Sequence, residues 1–199
     1  AEEAEAFLHP CAAQLRDPMC LNDMAEAISC IRHALDAGER ICVYGDYDVD
    51  GVCASAIMYL YLSALGADVE VYLPSRHDEG YGLNEAAVRA IAQRCKLLVT
   101  VDCGIASHDL IELAKSLGLA AVVTDHHRPG EMLPECPVVN PLLNNYPFGY
   151  LCGAGVALKL VWAMGGEEAA MPLIDLAAIA TVADVVPLQD ENRAIVYLG

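Results

Sequence analysis

Four short stretches of this sequence place chemically able side chains at similar points in the chain pattern. The first is Gly45-Asp-Tyr-Asp-Val-Asp-Gly51, which alternates acids at Asp46, Asp48 and Asp50. The second is Asp102, the third Asp125-His126-His127, and the fourth Asp184. Carboxylates brought close together repel one another, and the arrangement is costly unless cations neutralise them or their pKa values rise. Carboxylates with one imidazole suit Mn²⁺ or Mg²⁺ better than thiolate-seeking metals. Alternating acids in one turn can reach two ions, and a central acid such as Asp102 can bridge them. Two divalent ions about 3.5–4 Å apart can stabilise the attacking and leaving oxygens of a phosphoester.

Each stretch alone also has a plainer reading. Asp-rich turns before helices serve as N-caps and dipole partners. An Asp after a strand is a common turn residue, and a His pair is more often surface or core. The D-x-D-x-D-G start also matches an EF-hand loop, but position 12 of such a loop falls on Ile57 instead of Glu. The joint occurrence, each acid at the end of an expected element, favours a shared site.

The elements that must position these residues follow from periodicity. Helices are expected over Asp23–Ala37, Val52–Leu65, Glu85–Arg94, Asp109–Leu117, Val156–Met164 and roughly Leu173–Ala183. Strands are expected at Ile41–Tyr44, Val69–Leu73, Leu97–Val101 and Ala120–Val123, with a short one at Val138–Val139. Nearly continuous apolar strands alternating with helices imply an α/β fold, a doubly wound, mainly parallel sheet with helices on both faces. Ligands of such sheets bind beyond the carboxyl ends of the strands. Three of the four stretches fall there. Residues 1–38 form a helical lead-in and 39–199 an α/β core with C-terminal helices.

Composition sets further bounds. The chain has 199 residues, 56% of them hydrophobic, enough for a sizeable core. No apolar run reaches a membrane span. The first residues, Ala1 to Ala6, show no signal-peptide pattern, and without an initiator Met the chain is expected to be a piece of a longer protein. Nine Cys without a CxxC pair fit buried thiols in a reducing cytoplasm better than zinc. The net charge of −17 argues against a broad basic surface for nucleic acid. It fits either an acidic, well-solvated surface or a carboxylate site that needs cations.

Taken together, Gly45–Gly51, Val101-Asp-Cys-Gly-Ile105, Thr124-Asp-His-His127 and Ala180-Thr-Val-Ala-Asp-Val-Val-Pro-Leu188 resemble the four signature motifs of the DHH phosphoesterases. The first motif opens with Asp instead of His, as in the single-strand exonucleases of that family. Pro74-Ser-Arg76, Glu79-Gly-Tyr-Gly-Leu-Asn84, Asn140-Pro141, Tyr146-Pro-Phe148 and Glu191-Asn-Arg193 extend the resemblance over nearly the whole chain. It implies two Mn²⁺ or Mg²⁺ ions. Asp46 and Asp48 would hold the first, and Asp50, His126 and Asp184 the second, with Asp102 bridging. Asp125 would support the site, and His127 would act on the scissile phosphate or the leaving group. Arg76 would contact phosphate, and Tyr81 could stack on a base. Gly153-Ala154-Gly155, opening a helix, could present N–H groups to a phosphate.

The implied activity is 5′-to-3′ exonucleolytic hydrolysis of single-stranded DNA in recombination and repair. The alternatives are a family member acting on small substrates (a cyclic dinucleotide, oligoribonucleotide or pyrophosphate) and a catalytically inactive binding module of the same fold. The resemblance also implies a second domain (DHHA1) and an oligonucleotide-binding (OB) fold beyond these residues. Those parts would carry the basic strand-holding surfaces that −17 disfavours here.

Overall fold

The computed structural model describes residues 5, 7–75, 80, 82–144 and 146–199. Its centre is a five-stranded sheet in the order β2-β1-β3-β4-β5. The strands are β1 (Ile41–Tyr44), β2 (Val69–Tyr72), β3 (Leu97–Val101), β4 (Ala120–Thr124) and β5 (Val138–Val139). Every neighbouring pair is parallel. All residues of β1 and β3 are buried, as a strand covered on both faces requires.

Side-chain alternation sends the two faces into two cores. Ile41, Val43, Leu97, Val99, Val101 and Val122 join one apolar cluster. That cluster also takes in α1 (Met24–Asp36), α2 (Val49–Ala64), α5 (Gly153–Gly165), α7 (Ile174–Ala183) and α8 (Asp190–Leu198). Cys42, Tyr44, Leu98 and Val123 face the other, built with α3 (Glu85–Ala92) and α4 (His108–Ser116). A short turn of helix, α6 (Glu167–Ala170), links α5 to the closing helices. The doubly wound arrangement is as expected.

Two boundaries differ in ways that matter for the site. The helix expected from Val52 begins at Val49, because Asp48 caps it: its Oδ1 accepts the Gly51 N–H at 2.9 Å. Asp50 therefore sits in the first helical turn, not in a loop. The helix expected from Val156 begins at Gly153. A third closing helix, α8, is not expected from periodicity, since its apolar residues form one continuous run, Ala194 to Leu198, instead of recurring at helical spacing.

Helix α8 is tied down by a buried charge network. Lys159 of α5 and Glu191 of α8 are both almost fully buried and form an ion pair. Tyr146 donates its hydroxyl to Glu191 Oε1 at 2.7 Å, and Arg16 Nη1 lies 3.3 Å from the same oxygen. Lys159 also donates to the Arg16 carbonyl. A buried Glu191 is tolerated here because it is paired and hydrogen-bonded.

Candidate metal centre

The strand order reverses between β1 and β3, and in open parallel sheets the crevice at such a switch point is where ligands bind. The register pairs Tyr44 with Thr100 and Val101 with Thr124. Continuing it two residues past Tyr44 and one past Val101 sets Asp46, Asp102 and Asp125 abreast at the carboxyl edge. Asp46, Asp50, Asp102 and Asp125 are all buried.

Donor atoms of these residues form three close groups, each with its atoms within 4.8 Å of one another. One is Asp46, Asp48 and Asp102; another is Asp50, His126 and Asp184; the third is Asp102, His126 and His127. His126 Nε2 lies 3.1 Å from Asp102 Oδ1, 3.5 Å from Asp50 Oδ2 and 3.9 Å from Asp184 Oδ2. Asp102 Oδ1 is buried with no hydrogen-bond partner among the described residues. A buried carboxylate oxygen that accepts no hydrogen bond and sits among other carboxylates is what a hard divalent cation satisfies. The donor set of oxygens with one or two imidazoles fits Mn²⁺ or Mg²⁺.

The electrostatics agree. Burial, reinforced by the charges of Asp50 and Asp48, pushes the Asp102 pKa far above the carboxylate range. Burial likewise raises Asp46, with Asp48 adding to the effect. Asp184 is raised by burial, with Asp50 and Asp48 adding and His126 opposing. Without a cation these groups resist sharing the space as anions.

Local backbone geometry holds the acids in place. Asp102 adopts φ 59° and Val185, next to Asp184, φ 58°. A β-branched residue in the left-handed region is costly and persists only where its surroundings impose it. Asp184 itself ends α7, where the helix dipole disfavours a carboxylate. Both features trade stability for placement of the acid. Gly51 is required by crowding: a Cβ there would lie 2.5 Å from the Asp46 backbone.

The Gly-rich start of α5 behaves differently from the expectation of a phosphate cradle. Gly153 N donates to Asp50 Oδ2 at 2.6 Å and Ala154 N to Asp50 Oδ1 at 2.7 Å. Gly155 N donates to Cys152 Sγ. In this structure the N–H groups offered to a phosphate are taken by a carboxylate of the centre and by the capping thiol, and all three residues are buried. A helix amino end favours an anion, and the anion here is Asp50. Gly153 also has no room for a side chain, since its Cβ would stand 2.5 Å from Asp102 Cβ.

The Asp125-His126-His127 turn is braced from both sides. Asp125 accepts N–H bonds from Ile105 at 3.0 Å, His126 at 2.7 Å and His127 at 3.0 Å. It also accepts from His127 Nδ1 at 2.8 Å. Burial opposes the Asp125 charge, but bonds from His127 and Ile105 outweigh it and hold its pKa below the ordinary value. The bond to Asp125 in turn raises His127. On the other side, buried Asn140 donates Nδ2 to the His127 carbonyl at 3.0 Å and accepts from Leu142 N at 2.8 Å. The sequence marks Asn140 only as part of the family resemblance; its long-range partner leaves no local signal. Arg76 and Tyr81 lie outside the described residues.

A doubly wound parallel sheet carrying clustered carboxylates and histidines at its switch point defines an α/β domain with a candidate divalent-cation centre. The model of the "DHH family, N-terminal domain" matches residues 40–182, and the chain belongs to that family. It is 47% identical over its whole length to the single-stranded-DNA-specific exonuclease RecJ of Bacillus subtilis, spanning 26% of that protein. It superposes on a crystal structure of exonuclease RecJ bound to manganese with a TM-score of 0.86 and 40% identity, covering 94% of this chain and 48% of the other. For RecJ from Thermus thermophilus in complex with Mn²⁺ the TM-score is 0.80 at 38% identity, covering 90% of this chain and 26% of the other. The chain thus spans about a quarter of the length of the Bacillus relative.

Proposed function

We propose that this chain is the catalytic domain of a single-strand-specific exonuclease that hydrolyses phosphodiesters with two Mn²⁺ or Mg²⁺ ions. The observation that carries the reading is the pair of donor groups, Asp46–Asp48–Asp102 and Asp50–His126–Asp184, with the buried Asp102 oxygen that accepts no hydrogen bond. Single-stranded DNA as substrate is supported by the names of the relatives, and the 5′-to-3′ direction belongs to the same reading. Roles in recombination and repair and a cytoplasmic location belong to the same reading. No helix among the described residues is long and apolar enough to cross a membrane.

Asp46 and Asp48 would hold one cation and Asp50, His126 and Asp184 the other, with Asp102 available to both. When bound, the two cations supply the positive charge that phosphoester displacement at neutral pH needs. Asp50 is fixed by Gly153 and Ala154, so its oxygens keep their position as charge develops. His127 Nδ1 bonds to Asp125, which orients the imidazole beside Asp102 to act on a phosphate oxygen or a leaving group. Its raised pKa favours the protonated, donating form. Regions of the protein beyond this domain supply the basic surfaces that hold the strand.

The test compares turnover of single-stranded oligonucleotides, duplexes and small phosphoesters with Mn²⁺. Preference for single strands supports the reading. Preference for a cyclic dinucleotide or pyrophosphate would replace it with a small-substrate activity.

A further inference from the structure

The described cations of this acidic chain are nearly all committed to partners. Arg16, Arg40, Arg89, Arg94, Lys115 and Lys159 each pair with one or two carboxylates. Arg32 and Arg193 donate to the carbonyls of Met164 and Phe7. Among the described residues that leaves Lys96 and Arg128 as cations whose side chains make no hydrogen bond or ion pair, and both are exposed. They stand at opposite ends of the sheet. Lys96 precedes β3 at the amino edge, whereas Arg128 follows His127 directly at the carboxyl edge.

The position of Arg128 is unusual for a charge with no protein partner. The turn before it carries one acid, Asp125, and that acid is engaged otherwise. Asp125 is saturated by four donors, and Asp102 and Asp50 are buried in the centre. An exposed guanidinium with no fixed partner keeps its full fork of donors for an anion from outside. The backbone at this point is rigid, because Asp125 and Asn140 brace the turn immediately before it. Arg128 is therefore an exposed cation on a braced stem, at the same carboxyl edge of the sheet as the metal centre.

We infer that Arg128 contacts a backbone phosphate of the bound single strand, next to the phosphate being hydrolysed. This rests on the nuclease reading above. Arg128 would then be one of the few positive contacts this domain makes itself. It fixes where the strand lies relative to His127, with no reading of base identity, since a phosphate contact carries no sequence information.

The experiment measures the salt dependence of KM for a single-stranded oligothymidylate in the intact protein with Mn²⁺. It compares wild type, Arg128→Gln, Arg128→Lys and Lys96→Gln. Arg128→Gln should raise KM roughly two- to fivefold, the scale of an exposed ion pair. It should also lower the slope of log KM against log salt by about 0.7, one phosphate contact on a single strand. Arg128→Lys should restore most of the slope, and Lys96→Gln should match wild type. A wild-type KM and slope in Arg128→Gln overturns the inference while leaving the nuclease reading intact. So does an equal change in Lys96→Gln, which would mark a general charge effect. A wild-type protein that cleaves no single strand overturns the nuclease reading itself, and the Arg128 contact with it.

Discussion

The backbone N–H of Gly153 donates to Oδ2 of Asp50 at 2.6 Å, so the amino end of α5 grips one carboxylate of the metal centre. The same glycine packs against Asp102, where an added Cβ would come within 2.7 Å of Oδ1. One residue thus touches an acid of each donor group.

Gly153→Ala should therefore damage the centre out of proportion to its size. The added methyl must displace Asp102 or the start of α5, at a cost of about 1–3 kcal/mol for overpacking. Thermal melts and Mn²⁺ titration by calorimetry check this. Expected are a lower melting temperature and a Mn²⁺ affinity weaker by at least tenfold; wild-type affinity would mean the contact plays no part in metal binding.

The metal-free protein should grow less stable as pH rises from about 5 to 8. Asp46, Asp102 and Asp184 have folded pKa values raised by burial and mutual repulsion. Over this range the unfolded chain has given up those protons while the folded chain retains a share, so stability falls with increasing pH. His127, also raised, acts in the same direction: its contribution is present below its ordinary pKa and lost as pH passes the folded value. Asp125 is lowered, so its contribution is lost only in more acidic solution. Melting curves in chelator across this range are the check. Saturating Mn²⁺ should raise the melting temperature most at the alkaline end, because it binds the deprotonated native site.

His126 and His127 should separate. His126 faces Asp50, Asp102 and Asp184, so His126→Ala should weaken Mn²⁺ binding roughly 10- to 100-fold. His127 is held by Asp125 and is more exposed, so His127→Ala should lower turnover by about 100-fold or more with a smaller loss of affinity. Equal losses of affinity in the two variants would show that His127 is also a ligand, as its place in the third donor group permits.

Lys159→Met should destabilise the fold by about 3–5 kcal/mol, because Glu191 would keep a buried charge without its main partner. The double variant Lys159→Met, Glu191→Gln should recover much of that loss. Urea unfolding measures both. Mn²⁺ affinity should stay unchanged, since the network lies outside the donor groups.

The sheet and most of the candidate site were legible because apolar runs end in acids. Ile41–Tyr44, Leu97–Val101 and Ala120–Val123 each lead into a carboxylate, and the switch-point rule then brings the ends together. The start of α2 was not legible, because Asp48 and Asp50 read as turn residues, when one caps the helix and the other lies inside it. Nor were the partners of Asp50 and His127. Gly153 and Ala154 lie 103 and 104 positions from Asp50, and Asn140 lies 13 from His127, so only the folded chain brings them together. Lys159 did leave a trace: a single cation inside the apolar run of α5 implies a buried partner, but nothing local points to Glu191.

The most direct measurement is anomalous diffraction from crystals of this protein soaked in Mn²⁺. Two peaks are expected, one among Asp46, Asp48 and Asp102 and one among Asp50, His126 and Asp184, with Asp102 between them. A single peak, or none within reach of Asp102, would contradict a two-metal centre.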